Sequence, residues 1–334
     1  MARRLVFWCV VLVSFATGAT AQTPQQAPPA SQPAPPVFRS GAELVALTVA
    51  VLDRDQRFVR GLAVNDFAVY EDGVRQDLSF FAASDVPLDL VLLIDTSASM
   101  TDKMKTVHEA ALGFLRTLRP SDRGAVISFN DGVQVRQALT GDVGKLEEAV
   151  RSTDAHGATA LNNAIYVALK EFGHTAKQDG QVRRQAIAIL SDGEDTCSLM
   201  TFDDVLAEAK KADVGIYTIS LRSKSETSQK GMFSTALYSM KTLAQETGAQ
   251  AFFPTSVNDL GAIYASIADE LDHQYALGYS PKNARADGRF RRVVVQIVTH
   301  PELRLRTRNG YFARRATPFP QVIADATPLP RQEK

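Results

Sequence analysis

VLLIDTSASM, residues 91–100, decides the fold. Its first four residues belong to an apolar stretch from Leu88 to Ile94, the pattern of a strand buried on both faces. The stretch then changes character: Asp95, Ser97 and Ser99 place three small oxygen-bearing side chains at alternate positions. Ser, Thr and Asp favour helix N-termini, and apolar residues at helical spacing begin at Met104, so a helix cap is one explanation. Outward from this point strand and helix alternate. Strands are predicted at 125–129, 186–190, 215–221 and 250–253. Helices are predicted at 104–118, 143–150, 161–172, 202–211 (capped by Thr201), 233–247 (ended by Gly248) and 260–273. That rhythm predicts an α/β fold over residues 87–274: a doubly wound, mostly parallel, Rossmann-like sheet with helices on both faces. Ligands of such sheets sit beyond the carboxyl ends of the strands, where Asp95 lies.

The flanks read differently. Strands are predicted at 42–52, 67–70 and 78–81, with the turn Glu71-Asp72-Gly73 joining the last two, and at 275–279, 290–299 and 303–308, with a turn at Asp287-Gly288. Neither 37–86 nor 275–314 holds enough strands for a core of its own. Together they are the size of a β-sandwich, so one sandwich-like region built from both ends of the chain is expected, with the α/β block inserted between its halves. Two separately packed β-extensions are the alternative.

Residues 1–21 read as a secretory signal peptide: a basic start with Arg3 and Arg4, an apolar core from Val6 to Ala16, and the small-residue site Ala19-Thr20-Ala21. An uncleaved anchor is the alternative, but the apolar core is short for a membrane span. Residues 22–36 are a Pro/Gln/Ala-rich linker, and 315–334 a tail. The expected location is therefore exported: periplasmic, cell-surface or extracellular, with no stable membrane span after cleavage. Lys and Arg number 37 against 37 Asp and Glu, a balance that points to no nucleic-acid partner. Cleavage removes Cys9 and leaves Cys197 alone, which excludes an internal disulfide and a thiolate zinc cage; Cys197 is expected to be a buried bystander.

Two further segments bear on the opening stretch. Thr159 precedes a predicted helix in Gly157-Ala158-Thr159, and Asp192 follows the predicted strand 186–190. Both occupy the same edge of the sheet as Asp95, so Asp95, Ser97, Ser99, Thr159 and Asp192 can converge. All five offer hard oxygen donors, and none offers sulfur or nitrogen. Such a set selects Mg²⁺, with Mn²⁺ or Ca²⁺ possible, over zinc or copper. Three neutral hydroxyls leave most of the ion's charge uncompensated and a coordination place open for an outside carboxylate. His156 could lie near the ion or simply face solvent; Glu194 and Asp195 could support the site or cap the next turn.

On these residues the block resembles a von Willebrand factor A domain carrying a metal-ion-dependent adhesion site. In that family an Asp-x-Ser-x-Ser segment, a Thr and an Asp from three loops hold the ion, and a partner's acidic residue completes its shell. Ala158 departs from the glycine that relatives often carry there, which is tolerable if its φ stays negative. The stretches VNDFAVYEDG (64–73), YALGYSP (275–281) and NGYF (309–312) are similar to secreted bacterial proteins of the VWFA-related, acidobacterial type.

The expected function is a secreted or envelope binding module for adhesion or assembly, whose cation coordinates an Asp or Glu of a protein partner. The polar 223–230 loop is a candidate for shaping its surface. A structural envelope protein using metal only for stability is one alternative. A metal-dependent phosphoesterase is another, but the three segments carry no well-placed general base, and the chain has no phosphate loop or nucleophile elbow. The protein is therefore not expected to be an enzyme.

Overall fold

The structure, a computed structural model, describes residues 44–83, 86–175, 183–191, 195–221 and 235–314. All of them fall in one unit that begins at Val37. The expected signal peptide, linker and tail, the 223–230 loop, Asp192 and Glu194 lie outside the described residues. From the amino end run β1 (Val45–Leu52), β2 (Phe67–Glu71), β3 (Val74–Gln76) and β4 (Leu78–Ala83). The middle alternates β5 (Leu88–Asp95), α1 (Met104–Leu115), β6 (Arg123–Phe129), β7 (Val133–Thr140), α2 (Val143–Arg151), α3 (Leu161–Thr175), β8 (Arg184–Ser191), α4 (Phe202–Ala212), β9 (Gly215–Ser220), α5 (Thr235–Glu246), β10 (Ala251–Phe252) and α6 (Leu260–His273). The chain closes with β11 (Tyr275–Tyr279), β12 (Phe290–Ile297), β13 (Arg304–Arg306) and β14 (Gly310–Phe312).

The middle strands form one sheet in the order β10-β9-β8-β5-β6-β7. β5 lies inside it, parallel to β8 and β6, and every residue of β5 is buried. Side chains alternate across a strand, and both faces are covered. Leu88, Leu90, Leu92 and Ile94 pack with α1, α2 and α6, while Val91 and Leu93 pack with α3, α4 and α5. Each such side chain contributes roughly 1.5–3 kcal/mol, so the central strand is apolar throughout for energetic reasons. β7 departs from expectation. It is antiparallel to β6, at the sheet edge and mostly half-exposed, so Val133–Thr140 needs no apolar run and reads as loop. Thr201 caps α4 by accepting the Asp204 amide, as expected. Among the described residues no helix is long and apolar enough to cross a membrane.

The amino ends of the strands are tied by charge. Buried Asp89 receives Arg123 at 2.9 and 2.8 Å and Arg183 at 2.7 Å. Asp122 accepts the Leu88 amide at 2.9 Å and the Arg119 amide at 3.0 Å. Burial raises the Asp122 pKa, but hydrogen bonds from the Arg119 side chain and from the Leu88 and Arg119 amides outweigh it and hold the carboxyl below its ordinary value. A depressed carboxyl stabilises the fold above its unfolded pKa near ~4 and loses that contribution as pH falls through the folded value. Asp122→Asn should therefore flatten the acid limb of a stability profile below about pH 5, read by urea denaturation.

The flanking strands form two antiparallel sheets, β13-β1-β11-β4 and β14-β12-β2-β3, each mixing both ends of the chain. Leu47 faces Leu277 in the first, and Val69 faces Val295 in the second. Inward residues of both sheets share one core, including Val49, Val51, Phe67 and Tyr311. The hairpin expected between 67–70 and 78–81 is corrected. Asp72 and Gly73 take positive φ, and the turn returns the chain into β3. β4 then crosses to the other sheet and pairs with β11. The short β14 was also not expected from sequence. Glu71 joins the sheets: the Tyr279 and Tyr311 hydroxyls each donate to its Oε2 at 2.9 Å.

The sandwich meets the α/β block through the β13–β14 segment. Arg306 pairs with Glu270 of α6, and Arg308 lies 3.0 Å from Asp213 and donates to the Ala46 carbonyl at 2.6 Å. Gly248, which ends α5 with φ of 79°, lies against this segment; a Cβ there would sit 2.5 Å from the Arg308 amide nitrogen. Both the left-handed backbone and the backbone clash penalise a side chain, so Gly248→Ala should cost about 2–4 kcal/mol, read as a lowered urea midpoint.

Candidate metal site

Asp95 is the last residue of β5, and its side chain is fully buried. One carboxylate oxygen accepts the Ser97 amide at 2.8 Å, and the other accepts the Ser191 hydroxyl at 2.6 Å. The chain then enters a two-turn 3₁₀ helix, Ala98–Lys103, that runs into α1. Ser97 occupies the cap position of that turn, yet its side chain makes no capping bond. Its hydroxyl instead shares a 3.0 Å hydrogen bond with the Ser99 hydroxyl. The helix-cap explanation of the Ser97 side chain therefore fails. Fully buried Met100 anchors the turn instead, and the Thr101 hydroxyl donates to the Ala98 carbonyl at 2.8 Å.

The spacing of the two hydroxyls fits a hard cation. Two adjacent oxygens on an octahedron of 2.0–2.1 Å radius lie about 2.9 Å apart, close to the 3.0 Å separating Ser97 Oγ and Ser99 Oγ. Ser97 is buried and Ser99 is exposed, so the pair spans the boundary between interior and solvent. Among the described residues no cluster of three or more His, Cys, Asp or Glu side chains forms a metal-binding group. The candidate set is of another kind, since three of its five donors are hydroxyls.

Backbone hydrogen bonds bring the Thr159 loop against the same turn. The Ala98 amide donates to the Gly157 carbonyl at 3.1 Å, and the His156 amide donates to the Thr96 carbonyl at 2.8 Å. Thr159 itself is buried. Gly157 takes the left-handed conformation, with φ of 78°, and Ala158 does not. The departure at Ala158 is therefore accommodated without strain. His156 is exposed, with Nε2 3.0 Å from Asn130 Nδ2 and Nδ1 3.3 Å from Asp154.

Asp192 lies outside the described residues, but Ser191 before it is fully buried and bonded to Asp95. Beyond the gap, the Thr196 and Cys197 amides donate to the Thr159 carbonyl at 2.9 and 3.2 Å. Asp195 accepts the Asn162 and Ser198 amides at 3.3 and 3.1 Å, so it braces the loop on the start of α3. Cys197 is exposed, a correction to the expected buried thiol: its amide, not its side chain, holds the loop. The structure thus brings together Asp95, Ser97, Ser99 and the Thr159 loop. Sequence reasoning missed the supporting roles of Ser191 and Asn130. Asn130 donates its amide to the Gly132 carbonyl and accepts the Ala160 amide at its own carbonyl, 2.6 Å away. Their signal was position: each ends or follows a strand beside β5.

A mixed sheet wrapped by helices, with a hydroxyl-bearing loop at the end of its central strand, is an α/β fold of the von Willebrand factor type A kind. Residues 90–195, from within β5 to the loop after β8, match the family model described as von Willebrand factor type A domain. Over 114 residues the chain is 31% identical to an uncharacterised protein of Synechocystis sp., covering 33% of this chain and 26% of that protein. Over 206 residues it is 26% identical to a UPF0353 protein of Mycolicibacterium paratuberculosis, covering 57% of this chain and 62% of that protein. The alignments thus span less than two thirds of either relative's own length. Among solved structures, a von Willebrand factor type A protein from Catenulispora acidiphila aligns at a TM-score of 0.48 and 12% identity, covering 83% of this chain and 75% of that one.

Proposed function

We propose that this chain is an exported protein-binding module, not a catalyst, that holds a divalent cation at Asp95, Ser97, Ser99, Thr159 and Asp192. Mg²⁺ is the expected ion, and Mn²⁺ or Ca²⁺ share the same donor preference. Bound there, the ion supplies a Lewis-acidic centre for an Asp or Glu carboxylate of a protein partner, in adhesion or assembly at the cell envelope. The observation that carries this reading is the 3.0 Å pair of Ser97 and Ser99 hydroxyls beside the buried Asp95 carboxylate. Ser97 would otherwise be a cap, and it makes no capping bond. The match of residues 90–195 to the von Willebrand factor type A model supports the reading. The chain's own residues do the positioning: Ser191 and the Ser97 amide orient the carboxylate, and the Gly157 carbonyl locks the Thr159 loop to the serine turn.

The test is capture of partners from an envelope extract on the immobilised full chain, in Mg²⁺ and then in EDTA. A partner held in Mg²⁺, released by EDTA and absent from Asp95→Ala is expected. A partner retained through both treatments would sink the metal bridge.

A further inference from the structure

Arg184 is the first residue of β8, at the end of the six-stranded sheet away from Asp95, and it is 5% exposed. Its Nε donates to the Val86 carbonyl at 3.0 Å, and its Nη1 to the Leu271 carbonyl near the end of α6. Its Nη2 is buried and has no hydrogen-bond partner. Among the described residues no carboxylate is bonded to this guanidinium. Asp122 and Asp272 are the carboxylates whose charge reaches it, and both pair with Arg119, at 3.1 and 3.8 Å. Burial and then the Arg119 charge disfavour the charged form, but an arginine keeps its proton in a protein. A buried charge is ordinarily met by an opposite one. Two carbonyls and the carboxyl end of a helix, worth about half a charge, meet this one only in part.

A small cavity lies against this side chain. Its walls come from both regions of the fold: Thr48 of β1 and Arg308 after β13 on one side, and Arg184, Gln185, Asp213 and Thr247 of the α/β block on the other. Its volume is about 20 Å³, and a single water needs about 10–15 Å³ of such room. One or two water-sized occupants therefore fit, and five-atom oxyanions such as sulfate or phosphate do not. The charge around the cavity is positive. Asp213 pairs with Arg308 at 3.0 Å, so those two cancel and Arg184 is left over. Thr48 and Gln185 add a hydroxyl and an amide, both able to donate to an anion. A water molecule would fill the room and leave the charge as it is.

We infer that this cavity binds one small anion of the halide class, with chloride the common member, as the counter-ion of Arg184. The ion completes the joint between the sandwich and the α/β block, because its walls belong to both. It lies at the other end of the strands from the proposed cation site and does not depend on that site. Binding to the folded chain alone makes the stability of the joint rise with halide concentration until the cavity is full.

The test uses the full chain at one fixed ionic strength, with chloride exchanged stepwise for gluconate, an anion too large for the cavity. The wild type should gain about 3–6 °C in Tm when chloride reaches tenfold its Kd, and the gain should saturate. Bromide should replace chloride, and a crystal grown in bromide should show its anomalous scattering in the cavity beside Arg184. Arg184→Met removes the charge at similar length, and its Tm should not respond to the exchange. Arg292→Met removes an exposed arginine instead and should respond as the wild type does. A cavity that holds only water in the bromide crystal overturns the inference, whether or not Arg184→Met folds. So does a chloride response in Arg184→Met equal to that of the wild type, or a wild-type Tm unmoved by the exchange.

Discussion

Asp95→Ala is expected to abolish the response of this protein to Mg²⁺. A ligand at a hundredfold its Kd stabilises a folded protein by about 2.7 kcal/mol, which for a domain of this size raises Tm by roughly 5–10 °C. The wild type should show that shift, and the variant none. In the proposed site Asp95 would be the charged ligand on the central strand, and hydroxyls alone compensate a doubly charged ion poorly. The substitution also leaves the Ser191 hydroxyl and the Ser97 amide without their acceptor in a buried place. The metal-free variant should therefore itself lose about 1–3 kcal/mol. Asp95→Asn separates the two effects, because it keeps an oxygen acceptor and removes the charge. It should stay near wild-type stability without metal and still fail to respond to Mg²⁺. A normal Mg²⁺ shift in Asp95→Asn would remove Asp95 from the site.

Arg306→Ala is expected to cost about 3–5 kcal/mol, the range for stripping one partner from a buried ion pair. Glu270 is 1% exposed and pairs with Arg306 across the junction of α6 and β13. Its Oε1 accepts the Tyr217 hydroxyl at 2.8 Å and Gln274 Nε2 at 3.2 Å. Burial first, and then the Glu270 charge, hold the Tyr217 phenol protonated, so it remains a donor. Without Arg306 the carboxylate keeps two neutral donors but loses its counter-charge. Adding Glu270→Gln removes the stranded charge, so the double variant should be more stable than Arg306→Ala alone. Urea denaturation of both variants checks this. A loss under 1 kcal/mol in the single variant, or an additive double variant, would show that the pair does not join the two regions.

The central block was legible because its strands are buried on both faces. A parallel strand covered by helices must be apolar at every position, and Leu88–Ile94 nearly is. Helix ends were legible for the same local reason: Thr201 and Gly248 carry chemistry that only a start and a stop require. β7 and β14 were not legible. An edge strand with one exposed side and a three-residue strand need neither a long apolar run nor strict alternation. The turn at Asp72-Gly73 was readable, but its partner strand was not. Whether the chain returns at Val74 or at Leu78 is settled by which sheet has room, and β11 takes Leu78–Ala83.

By itself the sequence determined the alternation of the α/β block, the hard-oxygen character of its candidate ligands, and the need of both ends of the chain for strands from each other. These follow from local rules: period, capping chemistry and donor type act within a few residues. Only the tertiary structure decided what Ser97 does. On sequence it was as good a cap as a ligand; in the fold its hydroxyl meets Ser99 while a buried methionine anchors the turn. Tertiary packing likewise assigned Ser191 to Asp95, Gly157 to Ala98 and Arg306 to Glu270, because each pair is far apart in the chain and meets only once the sheets are assembled.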